Sequence, residues 1–225
     1  MVWGVCPPQG LWAGDNRSSS HSQALMSEPL ILREIHDADE LEAVFRLRVR
    51  AWRARVTAFP DDLERWTDAF DARGFHWGVW DGRRLAAAGR LTVHDRLEDV
   101  PSPEVFQPVF PEGLAGRIGV LTRLVVDPDY AGTGLSRRLD EVRLEAARAQ
   151  GCRTVIGSTY VGQSRLEVLK AAGFAVAGEA GDYASGPLRQ VDGGGDRRQA
   201  AGSQPGRAHG AVARYVLKRD LTGPP

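Results

Sequence analysis

The stretch from Leu121 to Leu139, LTRLVVDPDYAGTGLSRRL, constrains the fold more than any other part of the chain. Leu121 to Val126 is a short apolar, β-branched run, the pattern of a strand buried on both faces. Asp127-Pro128-Asp129 ends it, because proline cannot extend a ladder and aspartate favours turns. Gly132-Thr133-Gly134 then opens a helical pattern in which Leu135, Leu139, Val142 and Ala146 recur on one face. A strand, a glycine-rich turn and a helix start together make an anion site. The first amides of a helix have no internal partner, the dipole end is positive, and glycine lets backbone approach a phosphate. An ordinary tight turn is the alternative reading, and the flanking strand and helix favour phosphate over it. The turn is neither the dinucleotide fingerprint nor a Walker A loop, since no Gly-Lys-Ser/Thr follows.

These residues resemble motif A of the GNAT N-acetyltransferase superfamily. Val126, Pro128, Tyr130, Gly132, Gly134 and Leu135 match its pattern, while Ala131 replaces the usual Arg or Gln and Ser136 the last Gly or Ala. Lys170-Ala171-Ala172-Gly173-Phe174 is similar to the family's later helix ending in Gly-Phe, and a weaker likeness runs from Leu30 to Leu221. The resemblance implies an α/β (α+β) fold: a mixed, mostly antiparallel central sheet with helices on both faces, its central strand splayed from a parallel neighbour. It also implies acetyl-CoA or another acyl-CoA as co-substrate, without a metal, and a small-molecule or peptide amine as acceptor. Leu124, Val125 and Val126 would follow the pantetheine arm, and Leu124 or Val125 would donate an amide to the carbonyl oxygen. Ala131, Gly132, Thr133, Gly134, Leu135, Ser136 and Arg137 would hold the pyrophosphate. Arg137 or Arg138 supplies the cation missing at Ala131, or both are merely solvated.

The composition is ordinary for a soluble globular protein. The chain has 225 residues, with 42% apolar and 26% charged residues, and carries 29 basic against 29 acidic groups. A general nucleic-acid binder needs a basic surplus, so that class is excluded. Cys6 and Cys152 fit no metal spacing and no disulfide framework, consistent with a reducing cytoplasm. No run is long enough to span a bilayer. A monomer or homodimer is expected.

Residues 1–25 have no apolar period and read either as a disordered leader or as lying before the true start at Met26, with residues 26–225 as one domain. Leu30 to Ile35 reads as a strand. Asp37 caps a helix with Leu41, Val44, Phe45, Arg48 and Trp52 on one face and Glu40 placed for a capping box. Arg46, Arg48, Arg50, Arg53 and Arg55 read mostly as a solvated face. Asp61 or Asp62 is expected to start a second helix that runs to Gly74. Phe75–Trp80 and Leu85–Val93 form a hairpin through Asp81-Gly82. Trp66, Phe70, Trp77 and Trp80 are expected in the core. Residues 94–118 form a long connection, with Phe106, Val109 and Phe110 folded over a pocket. Arg153–Ser158, Phe174–Ala177 and Ala211–Leu217 read as strands, Gln163–Ala172 as a helix capped by Gly173, and the Gly- and Arg-rich 181–210 as a flexible loop.

Proton transfer is the least specified function. Leu169 occupies the place of the Tyr that protonates the thiolate in many relatives, and Gly162 that of a common Asn. Tyr160, at a strand end, is the substitute acid, with a structural tyrosine as the alternative. Arg123 stands where relatives often have Glu. His94, with an unperturbed pKa of about 6.5 and Asp95 to orient it, is the candidate base, against a surface histidine or a water-mediated base. The long 94–118 connection followed by Thr-Arg-Leu-Val-Val is also similar to the acyl-homoserine-lactone synthase branch, so a longer acyl-CoA or an acyl carrier protein is an alternative donor. A non-catalytic acyl-CoA-binding module is the rival from another class.

Overall fold

The computed structural model describes residues 29–55, 59–160, 164–180 and 214–222. The leader, the glycine-rich 181–210 segment and Gly162 lie outside them. Among the described residues seven strands form one sheet. Strand β1 (Ile31–Ile35) pairs antiparallel with β2 (Phe75–Asp81), which turns through Gly82, at φ 54°, into β3 (Arg84–His94). Strand β3 pairs antiparallel with β4 (Ile118–Val126), and β4 pairs parallel with β5 (Thr154–Tyr160). Strand β5 then pairs antiparallel with β7 (Arg214–Asp220), and β7 with the edge strand β6 (Ala175–Ala180). The order β1-β2-β3-β4-β5-β7-β6 is the mixed, mostly antiparallel sheet that the sequence implies.

Helix α1 (Ala38–Arg53) covers one face, packing Val44, Phe45, Leu47 and Ala51 on Trp80, Leu85, Ala88 and Val125. A short helix, α2 (Pro103–Phe106), lies in the β3–β4 connection. Helix α3 (Leu135–Ala149) covers the other face with Leu135, Leu139, Leu144 and Ala147 against Trp77, Val79, Ala87, Leu91 and Leu121. Each fully buried leucine contributes about 1.5–3 kcal/mol. Helix propensity differs by only a few tenths of a kcal/mol per residue, so packing on the sheet holds α3. Helix α4 (Arg165–Ala171) is closed by Gly173 at φ 80°. Asp37 caps α1 as its sequence requires, accepting from the amides of Asp39 and Glu40 at 2.8 and 3.2 Å. The Glu40 side chain does not complete a capping box. It pairs instead with Arg33 of β1.

Two expectations fail for identifiable reasons. No helix forms between Asp61 and Phe70. The backbone there is spent elsewhere: Arg53 Nη2 donates to the carbonyls of Pro60, Asp61 and Leu63, Arg48 to that of Trp66, and the Trp66 amide donates to Phe45 O. Only a single 3₁₀ turn, Asp71–Arg73, follows. The 94–118 connection is not a pocket lid. Leu97, Val100, Val105 and Phe106 are buried on Ile118, Val120, Ile156 and Val216, with Val109 and Phe110 against them, so it completes a third part of the core.

Candidate active site

Strands β4 and β5 pair at Ile118–Thr154, Gly119–Val155 and Val120–Ile156, then part. Leu124 and Tyr160 stand the same number of residues beyond the last pair, one on each side of the opening. A bulge accompanies the parting. The β3–β4 register changes between Ala88 and Arg90, where Arg123 and Leu124 face Gly89 alone. Arg123 takes up the extra residue at φ 53°, a conformation that costs a non-glycine residue about 1–3 kcal/mol. The bulge is braced from α3. The wholly buried Arg143 donates from Nη1 to the carbonyls of Arg90 and Thr122 at 3.1 and 3.3 Å and is paired with buried Asp140 at 2.6 Å.

The amide directions follow from the ladder. The Asp127 N–H donates to Ala86 O at 2.8 Å, and in the same register Val125 opposes Ala88. Hydrogen-bonding residues alternate along an antiparallel strand. The Val125 amide therefore faces β3 and that of Val126 the opening, while Leu124 lies in the bulge and has no partner in the β3 register. Of the two sequence candidates for a carbonyl-binding amide, Val125 is spent on the β3 ladder, which leaves Leu124.

The glycine turn lies at the open end of β4. Gly132 and Gly134 have φ of 78° and 80°, and no atom stands within 4 Å of where a side chain would begin at either. Gly134 is also the N-cap of α3. No side chain caps this end and no acidic residue occupies its first turn, so the Leu135 and Ser136 amides face outward without competition. An unfilled cradle of this kind fits a diphosphate. Its frame is fixed by side chains. The Asp127 carboxylate, 1% exposed, accepts from Arg50 at 2.6 Å, Arg84 at 3.0 Å and the Asp129 amide at 3.1 Å. Burial opposes its ionisation, but the Asp129 amide and the two arginines outweigh it and hold its pKa below the usual carboxylate range. Tyr130 donates to Asp81 at 2.6 Å, and Thr133 Oγ1 to Tyr130 O at 2.6 Å. Ala131 is exposed. Arg137 is exposed and 3.7 Å from Glu141, whereas Arg138 donates to Leu30 O, so Arg137 is the freer cation beside the turn.

Beneath the bulge, on the α1 side, lies a second assembly that sequence reasoning did not find. Arg48 binds Asp71 through two nitrogens at 2.8 Å each. Arg90 bridges Asp71 and Asp68 at 2.6 Å, and Arg123 binds Asp68 at 2.8 and 2.5 Å. Trp66, 2% exposed, stacks beneath Arg123 at 4.5 Å and meets Trp52 edge-on at 5.8 Å. Tyr160 lies 6.4 Å from Trp52, and its hydroxyl accepts from Arg214 at 2.6 Å. Burial opposes the charge on Asp68, but Arg90 and Arg123 drive its pKa well below normal. Burial lowers Arg123 to about 10. The sequence signal was slight: Arg48 stood on the inward face of α1, but nothing tied it to Asp68 or Asp71.

His94 is not brought to this place. It opposes Ile118 at the other end of β3, whereas Ala87 opposes Val126 beside the turn. Seven residues of strand separate them by roughly 23 Å. The ring is 8% exposed, packs on Phe70 at 5.8 Å, and is made less basic by burial and by the charge of Arg73. Asp95, its expected orienter, pairs with Arg117 instead at 3.2 Å.

The profile of the acetyltransferase (GNAT) family matches residues 41–174, from α1 to the end of the α4 turn. The chain belongs to this family. It is accordingly an N-acyltransferase. Solved structures with the same fold include the ribosomal-protein-S18-alanine N-acetyltransferase of Escherichia coli, at 16% identity and TM-score 0.54 over 88% of this chain and 97% of that one. A mosquito arylalkylamine N-acetyltransferase like 5b matches at 16% identity and TM-score 0.58 over 86% and 100%. A Bacillus subtilis acetyltransferase in complex with CoA matches at 15% and 0.50 over 86% and 99%. No curated protein matches the sequence. Among the described residues no helix is long and apolar enough to cross a membrane, and no metal-binding cluster occurs.

Proposed function

We propose that this enzyme transfers the acetyl group of acetyl-CoA to a primary amine, with the reaction at the opening between β4 and β5. The observation that carries this reading is the meeting, at one end of β4, of an uncapped helix start, an open glycine turn and a parted strand pair. Acetyl-CoA would supply the activated acyl carbonyl. The amides of Gly132 to Ser136 and the dipole of α3 would hold its diphosphate, at roughly 0.3–1 kcal/mol or more per contact, with Arg137 in place of the cation absent at Ala131. The Leu124 amide would stabilise the negative charge that develops on the carbonyl oxygen.

Two protons must move. We assign Tyr160 the return of a proton to the leaving thiolate, since its hydroxyl accepts from Arg214 and keeps its own hydrogen for another partner. Neither carboxylate beside the bulge suits the base. Asp68 and Asp71 are filled with arginine bonds, and Asp68 has too low a proton affinity. The amine therefore loses its proton to water before transfer. The surrounding guanidinium groups favour this, because positive neighbours lower the pKa of an ammonium.

The test is thiol release from acetyl-CoA with a panel of amines. Amine-dependent release above the protein-free rate is expected. Tight acetyl-CoA binding without release from any amine would favour a non-catalytic binding module, and release only from an acyl carrier protein would favour the longer-donor reading.

A further inference from the structure

We propose that the acceptor is an amine that also carries a carboxylate beside an apolar, aromatic body, and that Arg123 receives the carboxylate. This deepens the acyl-transfer reading and rests on it.

Arg123 occupies the bulge next to Leu124, the candidate for the carbonyl-binding amide, at the point where β4 and β5 part. Its Nε and Nη2 are bound to Asp68 and its plane lies on Trp66, so the guanidinium is fixed in place. Nη1 makes no hydrogen bond among the described residues, and the side chain retains 10% exposure. A fixed guanidinium edge with one nitrogen unspent is suited to an anion and loses little entropy on binding it. An arginine at positive φ is also a costly occupant for a turn that needs only glycine or asparagine.

The charge around it points the same way. Arg48, Arg90 and Arg123 share two carboxylates, Asp68 and Asp71, leaving one positive charge in excess. Both carboxylates are saturated, so neither is left to receive an ammonium. The buried Nε of Arg48 and Nε1 of Trp66 lack acceptors. His76 Nδ1 is also unpartnered, but it belongs to a ring tied to Asp71 O through Nε2. The region beside the bulge is thus richer in donors than in acceptors. A polyamine or a lysine-rich peptide would meet repulsion here. Half-buried Trp52 and Tyr160, with Trp66 behind, give the apolar wall on which an aromatic group can lie.

The experiment is calorimetric titration of the full chain. Coenzyme A is titrated first. The coenzyme A-saturated protein is then titrated with L-tryptophan against tryptamine, L-phenylalanine against phenethylamine, and spermidine. Each amino acid should bind about tenfold or more tightly than its decarboxylated partner, and spermidine should bind most weakly. Arg123→Gln should bring each ratio to within about twofold with the coenzyme A affinity unchanged. Arg123→Lys, which keeps the charge, should retain part of the preference. Equal or tighter binding of the decarboxylated amines by the parent protein overturns the inference, as does an undiminished ratio in a folded Arg123→Gln or Arg123→Lys protein. Absence of coenzyme A binding would instead remove the acyl-transfer reading itself.

Discussion

The two sides of the opening between β4 and β5 are built from different materials. On the α3 side the groups that face outward are backbone: the amides of a helix start and of two glycines at positive φ, with no side chain in the cradle. On the α1 side they are side chains, drawn from α1, the 59–71 segment, β3, β4, β5 and β7, and locked by arginine–carboxylate bonds. A backbone site recognises a group common to every acyl-CoA and tolerates changes in side chains. A side-chain site can be selective, and it fails as a unit when one member is removed. Under the proposed function the first would hold the shared donor and the second the individual acceptor.

The contrast is broken most severely at Asp71. Asp71→Asn leaves buried Arg48 without its carboxylate and removes one of the two that hold buried Arg90. Losing one partner of a buried ion pair costs about 3–5 kcal/mol, and urea unfolding should show a loss of this size. A loss below about 1 kcal/mol would mean that the network behaves as an ordinary surface array. Next is Tyr160→Phe, which keeps the ring on Trp52 and removes the proton. We expect kcat to fall about a hundredfold with acetyl-CoA affinity unchanged, and an unaltered kcat would dismiss Tyr160 as the acid.

The smallest effect is on stability against pH. Burial lowers the pKa of His76 below its ordinary 6.5, so the unfolded chain binds more protons than the native one. Stability should therefore fall as pH drops from about 7 through 6.5 towards 5, well before the carboxylates titrate. His76→Gln should flatten the melting temperature across that range, and a variant as pH-sensitive as the parent would assign the slope to His94 or elsewhere.

The same division explains what the sequence disclosed. The strand, the turn and α3 are contiguous, so Val126, Pro128, Gly132 and Gly134 announce their own geometry. The hydrophobic period also located six of the seven strands to within a few residues of their observed ends; the seventh, β7, was expected to begin before the described segment. The α1 side is assembled from residues far apart in the chain, 55 positions for Arg123 with Asp68 and 54 for Arg214 with Tyr160, and no local rule links them. Arg53 and Arg48 took the carbonyls that the expected second helix would have used, which local propensity cannot foresee. Arg90, Arg143 and Asp140 look like solvent-facing charges until the fold buries them against one another. His94 was attractive by its type and its neighbour Asp95, but strand direction carries it to the wrong end of the sheet.

The central claim is that the diphosphate of acetyl-CoA lies on the amides of Gly132 to Ser136, and Gly134→Asp tests it most directly. The space beside Gly134 is open where a Cβ would stand, so the new side chain starts clear of the rest of the fold and enters the position assigned to the phosphates. Its positive φ makes some loss of stability unavoidable, and melting without ligand is measured alongside. In calorimetric titration the folded variant should bind coenzyme A at least about tenfold more weakly than the parent, about 1.4 kcal/mol. An intact fold with unchanged coenzyme A affinity would contradict the account.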